Sequence, residues 1–238
     1  LRPKEASLYQ RYKPFKRPIL DLGCGDGFFA KVAFGEVDVG IDPDESAIKE
    51  ARERSIYKEI KWYDGKTIPY PSNYFATVLC NSTFEHIPNL GEVLSEVSRI
   101  LKKDAMLYFT VPTNVWPAYL FGRLFFGKYY ETFFIRKSKH YNLYAFSAWK
   151  KHLQASGFSI VYHTHYLDDK KVMWVFDITH YLSVCSLITK RLLGRWVLFP
   201  WKARLFTPFE QFLLKRLIRN TEKGPYLFIS ARKNSSIE

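Results

Sequence analysis

Cysteine is scarce in this chain: three in 238 residues, at Cys24, Cys80 and Cys185. No two stand at C-x-x-C spacing and none forms a Cys/His ligand pattern. A disulfide framework and a zinc site of that kind are therefore excluded, and a reducing compartment is expected. Uninterrupted apolar runs of about 20 residues are also missing, so no clean membrane span is expected. There is no internal repeat and no low-complexity tract. The opening LRPKEASLYQRYKPFKRP is basic and polar, without the apolar core of a signal peptide. With 47% apolar and 25% charged residues, the composition excludes a disordered chain.

What is abundant is aromatic and positive, and it is unevenly placed. Aromatics reach 18% and the net charge is +13. Residues 1–17 carry six Lys/Arg against one acid, residues 18–110 ten against fifteen, and residues 111–238 twenty against seven. Of the 42 aromatic residues, 27 follow residue 110. An acidic front half thus shares a chain with a basic, aromatic back half, and such asymmetry points to an anionic partner for the latter.

Strand and helix signals alternate through the front half. Pro18–Leu22 is a short apolar run entering glycines, Val37–Ile41 a second strand, Ile60–Tyr63 a third, Tyr74–Cys80 a fourth and Ala105–Val111 a fifth. Between them Asp44–Arg54 reads as a helix, acidic at its start and basic at its end, and Asn89–Leu101 as an amphipathic helix. Further on, Ser147–Ser156 reads as a helix, with strands at Phe158–Leu167 and Tyr226–Lys233. Strands alternating with helices imply a doubly wound, mostly parallel sheet.

The first strand runs into Asp21-Leu22-Gly23-Cys24-Gly25-Asp26-Gly27. Glycines here permit a sharp strand-to-helix turn and a close approach to bare main chain. A dinucleotide fingerprint needs glycine at position 28, where Phe28 stands, so a pyrophosphate is not the natural guest. Asp42 ends the second strand, where a carboxylate can accept both hydroxyls of a ribose. Asp64-Gly65 follows the third strand, within reach of an adenine edge.

In these residues the chain resembles the class I S-adenosylmethionine-dependent methyltransferases, of the type 11 branch related to quinone-biosynthesis enzymes. The resemblance is carried by ILDLGCGDG, VGIDPDESAIKEAR, YDGKTIPYPSNYFATVLCNSTFEHIPNLGEVLSEVSRILK, MLYFTVP, YAFSAWKKHLQASGF and YLFISARK. It implies a seven-stranded Rossmann-like sheet whose last strand is antiparallel. It also implies that Asp21 and the Gly23–Gly27 loop, with Cys24 and Gly25, hold the methionine end of the cofactor. Asp42 and Pro43 would sit at the ribose, Asp64 and Gly65 at the adenine, and Asn81 would face the cofactor. One departure stands out. Leu101-Lys102-Lys103-Asp104-Ala105 replaces the usual Leu-Lys-Pro-Gly-Gly, which questions the shape of that turn.

Transfer of a sulfonium methyl is an in-line displacement, and a base is needed only where the nucleophile must lose a proton. His86, after the fourth strand, and His140, in Lys139-His140-Tyr141, are the candidates for base or substrate contact. No metal is expected, since the His163/His165 pair has no acid or cysteine at ligand spacing.

The expected organisation is a basic arm (1–17), a cofactor-binding part (18–112), an aromatic and basic substrate lid (113–146), the rest of the sheet domain (147–167 and 225–233) and a helical insertion (168–224). Within the last, 172–219 joins apolar runs to Lys190-Arg191, Trp196, Trp201 and Lys215-Arg216, the pattern of helices lying in a membrane interface. The expected activity is methyl transfer to a lipid, a quinone-like molecule or a lipid-linked glycan. It would occur at the cytoplasmic face of an anionic membrane and leave S-adenosylhomocysteine. RNA, a soluble small molecule, or a non-catalytic cofactor-binding subunit are the alternatives, and nucleic acid fits the apolar runs poorly.

Overall fold

The computed structural model describes residues 1–182 and 220–235. Its centre is one sheet of seven strands with a two-residue edge added: β1 (Ile19–Leu22), β2 (Val37–Asp42), β3 (Tyr57–Trp62), β4 (Phe75–Asn81), β5 (Leu101–Pro112), β6 (Phe158–Tyr166), β7 (Asn220–Thr221) and β8 (Tyr226–Lys233). The order across the sheet is β3-β2-β1-β4-β5-β8-β6-β7. β1 to β5 run parallel, β8 runs antiparallel to β5, and β6 pairs antiparallel with β8. The expected mostly parallel, seven-stranded sheet with a reversed last strand is the observed one.

Alternation along the strands fills a core on both sides of this sheet. Leu20 and Leu22, Val78 and Cys80, Leu107 and Phe109, and Leu227 and Ile229 join one cluster. There they meet Val93, Leu94 and Val97 of α4 (Leu90–Ile100) and Trp149 and Leu153 of α6 (Phe146–Ala155). The intervening Ile19, Leu79, Tyr108 and Phe228 join the other cluster, under α1 (Arg2–Gln10), α2 (Phe28–Ala33) and α7 (Lys170–Leu182). The remaining helices are α3 (Glu45–Glu53) and α5 (Arg123–Lys137).

Two sequence expectations change here. The basic N-terminal stretch does not stand off as an arm through residues 2–10. It folds as α1, with Glu5, Leu8 and Tyr9 fully buried. Tyr9 Oη donates to the Cys80 carbonyl, and the Glu5 carboxylate accepts from Asn81 Nδ2 (3.3 Å) and Tyr166 Oη (3.2 Å). These bonds join partners more than seventy positions apart, so no local pattern announces them. The turn expected before the fifth strand is instead an irregularity inside β5, which already begins at Leu101. Asp104 takes the left-handed conformation (φ 58°) in place of glycine, and the β4–β5 register shifts there. A short polar side chain tolerates that region better than other non-glycine residues.

The helical insertion is described only at its ends. α7 opens it, with Val172, Met173 and Asp177 buried, and Asp177 Oδ2 accepts from the Phe121 amide at 2.7 Å. The expected interfacial segments around Lys190, Trp196 and Trp201 and at 209–219 lie outside the described residues. Among the described residues no helix is long and apolar enough to cross a membrane.

Candidate active site

Strand order reverses at β1, whose neighbours β2 and β4 lead their connections to opposite sides. A crevice opens there beyond the carboxyl ends of the strands, the usual place for a ligand in such sheets. Its cavity holds about 340 Å³ and is lined by Arg2, Asp21, Gly23, Cys24, Gly25, Asp42, Pro43, Asn81, Thr83 and His86, among others. A larger open groove, about 790 Å³, runs along α5 between Lys128, Tyr129, Phe133, Arg136 and Lys137. It is surface rather than crevice, and none of the glycine-loop residues lines it.

The loop after β1 shows why glycine is required. Gly23 has φ +76°, and a Cβ there would lie 2.3 Å from Thr83 Oγ1. Gly25 has φ +52°, and a Cβ there would meet nothing within 4 Å, so its bareness leaves room for a ligand. Gly27, also left-handed, starts α2 and does not line the cavity. The loop is tied to β2 by the Ile41 carbonyl, which accepts from the Gly23 and Cys24 amides, and by one carboxylate. Asp42 Oδ2 accepts from the Gly25 amide at 2.8 Å, and Oδ1 from the Asp44 amide at 2.9 Å. Both oxygens keep lone pairs free, so Asp42 can shape the loop and still accept from a ligand. Cys24 is buried, which raises its thiol well above the ordinary range.

Asp21 is the electrostatic centre of the crevice. Burial pushes its carboxyl up to about 7; the Tyr57 hydroxyl, donating at 2.6 Å, pulls the other way, and nearby Asp42 adds repulsion. A buried acid beside a second acid is stabilised in its charged form by a cation. The pair is thus suited to a ligand's ammonium group. Asn81 lines the same cavity, but its amide is engaged on both sides, donating to Glu5 and accepting from Thr110 Oγ1 at 2.8 Å.

Asp64 and Gly65 are not brought into the crevice lining. Asp64 is exposed and closes its own turn, accepting from the Lys66 amide (2.8 Å) and the Thr67 amide (2.9 Å). Those two bonds hold its carboxyl below the usual carboxylate range.

A second group of side chains meets at the rim. The short 3-10 turn Phe84–His86 buries Phe84 and Glu85 and leaves His86 at the cavity edge. The Glu85 carbonyl accepts from the amides of Tyr141 (2.7 Å) and Asn142, and Asn142 Nδ2 donates to the carbonyls of Phe84 (2.8 Å) and Ile87 (2.6 Å). This clamp brings His140 over His86, with ring centroids 4.8 Å apart and nearly parallel. Burial, then His86, lowers the His140 imidazole to about 4, and burial raises the Glu85 carboxyl to about 8. His140 does not line the cavity itself. His163 and His165 sit elsewhere, on β6, where His163 stacks on Phe146 at 3.7 Å.

Sequence reasoning missed Tyr57, Arg2, Glu5, Thr83 and Asn142. Of these only Thr83 stood inside a recognised motif. The others reach the site through tertiary contacts.

An acid closing β1, a glycine turn, an acid closing β2 and a reversed final strand together define the class I methyltransferase fold. Residues 20–109 match the family described as a methyltransferase domain, and that stretch is a class I methyltransferase domain of this branch. A malonyl-[acyl-carrier protein] O-methyltransferase of Legionella pneumophila is 31% identical over 114 residues, covering 43% of this chain and 40% of that protein. A ubiquinone biosynthesis O-methyltransferase of Glaesserella parasuis is 25% identical over 117 residues, covering 44% and 50%. The chain thus spans half or less of the length of these relatives. A possible histamine N-methyltransferase of Thermotoga maritima superposes with a TM-score of 0.62 at 16% identity, covering 98% of this chain and 89% of that one, which shows the shared fold.

Proposed function

We propose that this protein is an S-adenosylmethionine-dependent methyltransferase acting on an apolar, lipid-like acceptor at the cytoplasmic face of an anionic membrane. The observation that carries the cofactor is the Asp21–glycine loop–Asp42 crevice. Buried Asp21 takes the ligand's ammonium, Gly23 and Gly25 let its methionine end lie against bare main chain, and Asp42, beside Pro43, accepts the ribose hydroxyls. Asn81 holds the crevice wall through Glu5 and Thr110. When bound, the cofactor supplies a methyl group already activated on a sulfonium.

The chain's remaining task is to orient an acceptor and take up its proton. His86, at the cavity edge, is the group placed to receive a proton from an acceptor hydroxyl, and His140 stacks behind it. Alignment alone can supply much of the rate, with effective molarities on the order of 10⁵ M or more for well-placed reactants.

The nature of the acceptor is supported by α5. Not one of its residues is buried, and Leu124, Phe125, Phe126, Tyr129 and Phe133 are exposed, Tyr129 by 88%. Lys128, Arg136 and Lys137 border these rings, a mixture that suits the headgroup region of an anionic bilayer. The quinone-biosynthesis relative is consistent with a small apolar acceptor.

The test supplies methyl-labelled cofactor together with fractionated membranes and RNA. Label in the organic-soluble fraction is expected, with co-flotation of the protein on anionic vesicles. Label confined to RNA would establish the nucleic-acid alternative, and cofactor binding with no labelled product would establish the non-catalytic one.

A further inference from the structure

Glu85, His86 and His140 come from two separate loops, one after β4 and one after α5. Each can offer a ligand atom, and the three atoms lie within 4.8 Å of one another. His86 Nε2 is 3.9 Å from Glu85 Oε1. We propose that this trio is a binding site for one transition-metal dication, zinc by the chemistry of its donors.

Three independent features support the site. The first is the carboxylate. Glu85 is almost fully buried and its Oε2 makes no hydrogen bond. An unpartnered buried oxygen is costly in any fold, and a metal ion would satisfy it.

The second is the imidazole tautomers. Ser138 Oγ donates to the carbonyls of Phe134 (2.7 Å) and Ile135 (3.3 Å), which suits it to accept from His140 Nδ1 at 3.0 Å. In the tautomer that matches this contact the His140 proton is on Nδ1 and the Nε2 lone pair is bare. His86 Nδ1 lies 3.3 Å from the Lys139 carbonyl, an acceptor only, which puts its proton on Nδ1 as well. A ring nitrogen bonded to a carbonyl or hydroxyl, with its partner nitrogen bare, is how metal-bound histidines are held.

The third is scaffolding. The Asn142 clamp on Phe84 and Ile87 fixes the two loops to each other, so the trio does not depend on two free segments meeting.

One carboxylate with two imidazoles suits zinc, and three protein ligands leave a fourth position open. Tetrahedral zinc ligands stand ~3.3 Å apart, so the trio must contract modestly. His86, whose side chain is 43% exposed, is free to do so. Because His86 also lines the cofactor crevice, the open position borders the reaction space, within reach of an acceptor oxygen. The binding claim is independent of the methyltransferase reading. Only this use of the open position rests on it. With the ion bound, His86 serves as a ligand, and an acceptor hydroxyl held on the metal is acidified directly.

Calorimetric titration of the chelator-stripped chain with ZnCl₂, in the absence of S-adenosylmethionine, tests the site. One ion per chain is expected, and X-ray absorption should show two imidazoles and a carboxylate around it. Loss of an outer partner already weakens metal sites by about 10–100-fold, so His140→Ala should weaken binding by more than ~100-fold. The double change His163→Ala/His165→Ala should leave it intact. Thermal melting and cofactor binding check that His140→Ala still folds, and the wild-type absorption spectrum decides the matter if it does not. Binding only at millimolar zinc, binding that survives His140→Ala, or binding lost with the β6 pair would overturn the proposal. None of these results would touch cofactor binding.

Discussion

The front of the sheet and the helix α5 solve opposite problems. In the front, chemically important groups are buried and their conformations are tied down by hydrogen bonds, with Asp42 holding the Gly25 and Asp44 amides and Asp21 accepting from the Tyr57 hydroxyl. In α5 Tyr130, Phe134 and Ile135 pack against the core, but Leu124, Phe125, Phe126, Tyr129 and Phe133 face outward, and a break at Gly127 (φ 53°, ψ −138°) leaves even the helix axis interrupted. The first region ties its polar groups to one another; the second leaves apolar surface exposed among the described residues. Charge divides the same way, acidic around the crevice and basic around the exposed rings.

The sharpest way to break this comparison is Asp42→Ala. A carboxylate accepting two ribose hydroxyls contributes about 3 kcal/mol, so cofactor affinity should fall by at least ~100-fold in calorimetry. Unchanged affinity would remove Asp42 from the site. A melting curve separates this from the loss of the Gly25 and Asp44 bonds.

Asp21 offers a pH-resolved test of the same region. Its folded value, about 7, lies above the ordinary 3.8. Its contribution to the stability of the ligand-free fold is therefore full below about pH 4 and is lost as pH rises through 7. Cofactor binding has the opposite sign, because the ammonium pairs with the ionised form. Affinity should fall by up to ~10-fold per pH unit as pH drops below 7. Asp21→Asn should bind weakly at every pH and show no slope. A slope that persists in this variant would assign the titration to another group.

The smallest effect is expected where the comparison places a partner rather than a fold. Phe125→Ser, Phe126→Ser and Tyr129→Ser should each change stability by no more than about 0.5 kcal/mol, since surface changes seldom do more. The triple variant should bind cofactor as the wild type does and lose flotation on anionic vesicles. A cooperative loss of stability instead would show that these three rings pack against the protein as Tyr130 and Phe134 do.

Much of the crevice was legible in the sequence because its signals are local. An acid at a strand end, glycines in the next turn and a second acid at the end of the following strand lie within a few residues of the elements that position them. The same holds for β8, whose bounds agree with the sequence reading. Asp64 was ambiguous in the sequence because an acid before glycine is also the residue that closes a turn on itself, as it does here. α1 and the Glu85–His86–His140 group were illegible for a different reason. Their partners are far along the chain, and no periodicity encodes them.

By itself, then, the sequence determined the mostly parallel sheet and the acid–glycine–acid frame of the crevice, because strand alternation and turn chemistry act over a handful of residues; the reversed last strand followed only from the family resemblance. Only the tertiary structure decided that the N-terminal segment seals the core and that Asn142 clamps a histidine from one loop over a glutamate and histidine from another. It also decided which aromatics of α5 face outward, Phe125, Phe126, Tyr129 and Phe133, and which pack inward, Tyr130 and Phe134. Burial and hydrogen-bond satisfaction are properties of the assembled fold, and they select among contacts that a linear pattern leaves equal.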